Sequence, residues 1–190
     1  MGKKLPIALS NRHVHLSQKD LDLLFGEGYE LTKMKDLSQP GQYACEEKID
    51  LVGPKSTIKG VRILGPTRPE TQLEISVTDA FKLGVNPEIR NSGDIKDTPG
   101  AKLIGPKGEA EIDDGLIVAA RHIHMHTSDG KKFDVEDKDM VKIKIGGPRG
   151  LIFDNVLVRV ADSYGLEMHV DIEEGNAAGV KNGELVELVK

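Results

Sequence analysis

One short motif occurs twice in this chain, as Arg12-His13-Val14-His15 near the N-terminus and as Arg121-His122-Ile123-His124 about two-thirds of the way along. Only six histidines exist in 190 residues, and four of them stand in these two pairs. Side chains at i and i+2 of a β-strand share a face. Each pair therefore presents two imidazoles side by side, with the arginine and a branched apolar residue turned the other way. That arrangement suits a metal ion, and its duplication implies two ions or one shared cluster. A chain that must build it twice is held to two related strand-based units.

The repeat reaches beyond the histidines. Gly53-Pro54-Lys55 is echoed by Gly147-Pro148-Arg149, and Val61-Arg62-Ile63 by Val158-Arg159-Val160. Asp79 to Val85 resembles Gly175 to Val180. Aligning Gly84-Val85 with Gly179-Val180 sets Glu74 opposite His169, each ten residues before its glycine, with a two-residue gap needed further upstream. Twenty-one Gly and nine Pro cut the chain into short segments. The apolar alternation predicts strands over 7–15, 48–52, 61–64, 73–77, 101–104, 116–125, 140–145, 151–153, 156–160, 166–171 and 184–189. Short helices are expected over 18–25, where Ser17 caps, Asp20 completes a capping box and Gly26 stops the helix, with single turns at 79–83 and 176–178. No alternation of strands with ten-residue helices occurs, which argues against a doubly wound parallel sheet. The expected fold is mainly β: two β-barrel domains with short capping helices, related by an internal quasi-two-fold repeat. Closure would also remove the exposed edges that many short strands create.

Composition sets the outer bounds. With 31 acidic against 26 basic residues and no basic block, binding to a nucleic-acid backbone is disfavoured as the main task. No apolar run approaches the roughly 18 residues that span a bilayer, and the opening ten residues make a poor signal peptide. A single cysteine, Cys45, excludes an internal disulfide framework and fits a reducing compartment. Having no neighbouring histidine and no Cys-x-x-Cys partner, it reads as an incidental small side chain. Gly105-Pro106-Lys107-Gly108 lacks the spacing of a phosphate-binding P-loop.

The symmetric reading assembles one metal site from His13, His15 and Glu74 and another from His122, His124 and His169. Three protein donors with an open position is the usual composition of catalytic zinc, whereas structural zinc is closed by four donors, usually including cysteines. His126 continues the same strand face; Ser17 takes its place in the first motif, so it is read as supporting the ligands or lying at the surface. Asp79 and Asp171 are nominees for fixing the imidazole tautomers. The turn-rich stretch Leu64 to Thr71 runs into the strand bearing Glu74, and Arg68 within it could bind an anion through its fork of donors, or be an exposed loop arginine. Arg12 and Arg121 alternate away from the metal face and are expected to make structural pairs.

Four stretches carry a resemblance that covers nearly the whole chain: Ser10 to Ser17, Gly65-Pro66 through Arg68 to Glu74-Ile75-Ser76, Ala120 to Met125, and Leu166 to Asp171. The chain resembles the phosphate propanoyltransferase family, phosphotransacylases associated with propanediol-utilising microcompartments. That resemblance implies two β-barrel domains, one of residues 2–11 with 120–190 and one of residues 12–119 with a helical insert. It implies a dinuclear zinc site, two Zn2+ per chain, matching His13, His15 and Glu74 for one ion and His122, His124 and His169 for the other. It implies that Arg68 contacts phosphate, and it assigns His126 no role. The implied reaction is reversible acyl transfer between coenzyme A and inorganic phosphate, with propanoyl-CoA or acetyl-CoA as substrate and a homodimer as the working form. Microcompartment-targeted relatives carry an amphipathic extension before the first strand; only five residues precede Pro6 here. The expectation is therefore a cytoplasmic enzyme, free or captured by microcompartment proteins. Two other readings compete: a dinuclear-metal thioester or phosphoester hydrolase, in which the ions activate water, and a non-catalytic binding module whose metals only stabilise the barrels.

Overall fold

The computed structural model describes residues 2–189 as fifteen strands and four short helices. They divide between two compact units: one holds the stretch ending at Ser10, Ser38–Pro40 and everything from Ala120 onward; the other holds Asn11–Leu37 and Gly41–Ala119. Among the described residues no helix is long and apolar enough to cross a membrane.

The first unit is a closed six-stranded barrel. Its strands are β1 (Lys3–Ser10), β11 (His122–Met125), β12 (Met140–Ile145), β13 (Leu151–Val160), β14 (Glu167–Asp171) and β15 (Leu185–Val189), in the order β1-β14-β11-β13-β12-β15. Residues 140–145 alternate exposed and buried with period two. Leu5, Ile7, Ile123, Met125, Ile143, Val156, Val158 and Met168 fill the interior and are wholly buried. Gln39 joins this unit through its carboxamide, which donates to the Gly165 carbonyl and accepts from the Gly165 N–H.

The second unit is an open sheet of nine strands with half-barrel curvature. It comprises β2 (His13–His15), β3 (Lys33–Asp36), β4 (Tyr43–Val52), β5 (Thr57–Gly65), β6 (Gln72–Glu74), β7 (Ile89–Arg90), β8 (Ala101–Ile104), β9 (Glu109–Ile112) and β10 (Leu116–Ala119). The main path runs β7-β10-β6-β2-β5-β4-β8-β9, with β3 off this path, paired with the Tyr43 end of β4. Val14, Leu21, Leu24, Ile49, Leu51, Ile63, Leu73 and Leu116 form its core. The expected fold class, mainly β with barrel units and short helices, is the one observed.

The repeat is visible in strand pairing. In one unit β2 runs parallel to β5 and antiparallel to β6, with His13 opposite Glu74. In the other β11 runs parallel to β13 and antiparallel to β14, with His122 opposite His169. One expected correspondence fails: His13 registers with Arg62 but His122 registers with Leu157, so Arg62 and Arg159 stand two residues apart in the repeat. Arg62 donates to the Cys45 carbonyl at 2.7 Å, whereas Arg159 lies 5.8 Å over the Tyr164 ring.

The strands predicted over 7–15 and 116–125 each break just before the histidine pair, at the points where the chain passes from one unit to the other. At the first break the Asn11 side chain accepts from the Arg12 N–H at 2.8 Å, a local bond that takes the backbone out of the ladder.

Helix α1 (Gln18–Phe25) starts at Ser17 as expected, but the capping box does not form. The Asp20 carboxylate instead accepts from the hydroxyls of Ser17 and Thr71, while the Ser17 N–H donates to Thr71 Oγ1. The expected single turns are longer: α2 (Val77–Leu83) is capped by Ser76 and α4 (Ile172–Ala178) by Asp171, which makes a full capping box with Glu174. Both end on a left-handed glycine, Gly84 and Gly179, a conformation open to glycine without steric cost. The Gly-Pro-basic turns close over these ends, with the Lys55 N–H donating to Leu83 O at 2.8 Å and the Arg149 guanidinium to Ala177 O at 3.1 Å. Helix α3 (Thr127–Phe133) was not predicted, because its sequence Thr-Ser-Asp-Gly reads as a loop.

The motif arginines make equivalent pairs. Arg12 grips Asp79 with two bonds of 2.7 and 2.8 Å, and Arg121 reaches Glu174 at 2.7 Å, the acids lying five residues after Glu74 and His169 respectively. Asp79 is nearly buried, so Arg12→Ala would strand a carboxylate. The Arg12 side chain is 39% exposed, and allowing for solvent screening the expected loss is about 1–3 kcal/mol, with Arg12→Lys intermediate; urea unfolding midpoints test it.

Candidate metal centre

Strand β2 is too short and too buried to have a solvent face: His13, Val14 and His15 are all buried. His13 and His15 point the same way, their ring centroids 5.1 Å apart and nearly perpendicular. Pairing with β6 places Glu74 against them. The donor atoms of His13, His15 and Glu74 all lie within 4.8 Å of one another, the one such group of three among the described residues. His13 Nε2 stands 3.5 Å from Glu74 Oε2.

The His13 tautomer follows from its neighbour. Its Nδ1 lies 2.8 Å from the Asn11 carbonyl, which can only accept, so Nδ1 carries the proton and Nε2 offers a lone pair toward Glu74. In the other unit His122 Nδ1 meets the Ala120 carbonyl at 2.9 Å in the same way. The residue two before each motif's first histidine therefore does what Asp79 and Asp171 were nominated for. Those two acids are occupied elsewhere, Asp79 with Arg12 and Asp171 with the end of α4.

His122, His124 and His169 gather in the first unit with ring centroids 4.7 to 5.1 Å apart, His122 stacked nearly parallel on His169. His169 Nε2 also comes within 3.3 Å of Glu167. His124 packs against the Tyr164 ring at 4.3 Å.

Equivalent atoms in the two groups test whether a metal fits. His15 Nδ1 and His124 Nδ1 are both buried and have no hydrogen-bond partner among the described residues. Burial, reinforced by neighbouring imidazoles and by Arg68 for His15 and Arg159 for His124, holds both rings neutral: His15 is pushed well below the usual histidine range and His124 down to about 2. A buried lone pair on a neutral imidazole is costly unless a proton or a metal meets it. The donor set, histidines with one carboxylate, fits a borderline divalent ion.

A pH dependence follows. An unfolded histidine takes up its proton near pH 6.5, whereas folded His124 resists until about 2, so the unfolded state binds more protons between these limits. The stability contributed by keeping these rings neutral is full above about 6.5 and falls as pH drops through that window. Urea midpoints of chelator-treated protein between pH 7.5 and 4.5 should decline accordingly; a flat profile would contradict it.

Arg68 sits in the same unit as the first group. Its N–H donates to the Leu16 carbonyl at 2.9 Å and its Nη1 to Ser92 Oγ at 3.3 Å, and its charge is among the influences that depress His15. His126 does not continue the ligand face. The strand stops at Met125, and the His126 ring caps α3, with Nδ1 accepting from the Ser128 N–H at 3.1 Å and Nε2 standing 3.7 Å from Asp162. Ser17 caps α1 at the matching position, so this histidine stands in for a capping serine. Cys45 is wholly buried, and burial lifts its thiol to about 11, which leaves it unreactive.

Sequence reasoning missed Asn11 and Ala120, which act through backbone carbonyls and leave no side-chain signature, and Ser92, which is remote in sequence. It also missed Gln72, whose spacing of two from Glu74 on a strand was a readable signal.

Comparison with known proteins finds relatives along nearly the whole chain. The family profile described as phosphate propanoyltransferase matches residues 6–181. The chain is 56% identical to the phosphate propanoyltransferase of Thermotoga maritima over 185 residues, covering 97% of this chain and 88% of the relative. It is 52% identical to that of Clostridioides difficile, covering 98% and 89%, and 50% identical to that of Listeria monocytogenes, covering 97% and 86%.

Proposed function

The chain belongs to the phosphate propanoyltransferase family, and from that premise we propose that it moves the acyl group of propanoyl-CoA or acetyl-CoA reversibly to inorganic phosphate, with one zinc ion in each histidine group. The observation that carries the metal part is the paired, buried and unpartnered Nδ1 atoms of His15 and His124, repeated in two units with neutral rings around them.

Bound there, zinc supplies Lewis acidity toward a carbonyl or phosphoryl oxygen and a soft site for a thiolate. His13, His15 and Glu74 would hold one ion and His122, His124 and His169 the other. Glu74 brings a negative charge to its group, and the carbonyls of Asn11 and Ala120 keep the first histidine of each motif in the tautomer that leaves Nε2 unprotonated. Arg68 offers the planar fork that matches phosphate, and Ser92, Leu16 and the loop backbone fix where that fork starts. A phosphate oxygen then attacks the thioester carbonyl, the carbon–sulfur bond breaks, and coenzyme A leaves as the thiolate. No covalent acyl-enzyme is required, in keeping with the buried, unreactive Cys45. The same reading makes the enzyme a homodimer in the cytoplasm, free or held by microcompartment proteins. The apolar face of α2, where Val77 and Phe81 stand exposed one turn apart, supports self-association.

The test is phosphate-dependent release of CoA from propanoyl-CoA by metal-quantified protein, with acyl phosphate trapped by hydroxylamine. Acyl phosphate formed in step with free thiol, and lost on metal removal, is the expected result. Thiol release without phosphate would show a hydrolase, and no release from fully metallated protein would show a binding module.

A further inference from the structure

Gln72 is 2% exposed, and every polar atom of its carboxamide is used. Nε2 donates to Glu74 Oε1 at 2.7 Å and to Ser92 Oγ at 2.8 Å, and Oε1 accepts from the Gly93 N–H at 2.7 Å. The orientation is unique. Flipping the amide would set its oxygen against a carboxylate and its NH2 against an N–H donor. With Oε1 so held, Glu74 Oε2 is the oxygen turned toward His13. Ser92 Oγ, the second acceptor of the amide, also receives Nη1 of Arg68.

The other unit places a complementary side chain at the same position. Glu167, two residues before His169 as Gln72 is two before Glu74, brings a carboxylate oxygen within 3.3 Å of His169 Nε2 and accepts from Ser38 Oγ. Where the third residue is a carboxylate its neighbour is an amide donor; where it is an imidazole its neighbour sets a carboxylate oxygen 3.3 Å from it. Each group thereby sets one carboxylate beside its histidines. Hydrogen-bonded supports of this kind commonly change metal affinity or activity by about 10–100-fold when lost.

We propose that Gln72 is a positioning residue: its carboxamide turns one oxygen of Glu74 toward the metal and, through Ser92, ties that ligand to Arg68, so that metal and phosphate are held in register. This inference rests on the metal reading given above.

Two variants separate its parts. Gln72→Glu keeps the volume and the acceptor for Gly93 but removes both donors; Gln72→Met keeps only the volume. Cobalt(II) titration followed by visible absorption, alongside steady-state kinetics in both substrates, is the experiment. Both variants should bind one of the two cobalt equivalents about 10–100-fold more weakly, with an altered ligand-field spectrum. The KM for phosphate should rise while the KM for acyl-CoA stays unchanged, a split that a loss of packing would not produce. Wild-type cobalt affinity and spectrum in Gln72→Glu would overturn the proposal, including the case in which Gln72→Met alone is impaired, because the amide would then only brace the Gly93 backbone. If Gln72→Met does not fold, Gln72→Glu carries the test. Failure of wild-type protein to bind cobalt would refute the metal reading itself, and failure to make acyl phosphate the proposed reaction; neither result resembles a change confined to the variants.

Discussion

Replacing His13 by alanine is expected to reduce bound zinc from about two ions per chain to about one and to lower kcat/KM by roughly 10³-fold. His13 is one of three donors gathered within 4.8 Å, and its Nε2 faces Glu74. With it gone, a single imidazole and a single carboxylate remain, too few to retain zinc through dialysis. Loss of a Lewis acid worth about 4 kcal/mol of transition-state charge stabilisation corresponds to about three decades in rate. The variant should still fold, because removing the ring also relieves a buried imidazole held beside the equally buried His15. His126→Ala is the control: loss of the α3 cap costs about 1 kcal/mol and leaves metal content unchanged. Metal analysis with the thiol-release assay decides the matter, and full zinc content with wild-type turnover in His13→Ala would remove His13 from the site.

The second large effect concerns the anion. Arg68→Ala should raise the KM for phosphate by about 10- to 100-fold and leave the KM for acyl-CoA nearly unchanged. A hydrogen-bonded charge pair is worth about 1.5–3 kcal/mol, which spans that range. Arg68→Lys should recover only part of the loss, since it keeps the charge but not the fork. The change should be clean, because the loop is anchored by the Arg68 backbone N–H to Leu16, a bond that any side chain preserves. Zinc content should stay at the wild-type level, which separates this variant from His13→Ala. An unaltered phosphate dependence would show that another group binds the anion.

The two variants also bear on how the units divide the work. His13, His15, Glu74 and Arg68 all belong to the sheet unit, so the metal and anion effects of these substitutions originate in one half of the repeat. The barrel unit holds His122, His124 and His169, where Glu167 stands at the repeat position of Gln72 and Tyr164 packs against His124. The repeated frame thus keeps its strand pairing and its arginine–acid brace while the groups around the histidines differ.

Much of this was legible in the chain because β-structure writes its faces into residue spacing. Two imidazoles at i and i+2, twice, define two donor faces, and equal distances to Gly84 and Gly179 bring Glu74 and His169 opposite them; both pairings recur as strand register. The arginines make the structural pairs expected of them, although each lies in the break just before its strand. The resemblance to a known family added the Arg68 role, which spacing alone left balanced against an exposed loop residue.

The support around those donors was decided by tertiary structure. The acceptors that set the tautomers are backbone carbonyls of Asn11 and Ala120, and every residue has a carbonyl, so composition holds no trace of them. The breaks before each histidine pair arise where the chain leaves one unit for the other, an event invisible to a window of alternating residues. Arg62 and Arg159 look equivalent in sequence yet register two residues apart, because a parallel partner can slide by a full period without turning its side chains over. Helix α3 forms on a stretch of turn-forming residues because the His126 ring accepts from the Ser128 N–H and Phe133 buries its last turn. Local periodicity determined which faces carry the chemistry; contacts between residues distant in sequence, whose energy depends on geometry rather than on pattern, determined how those faces are held.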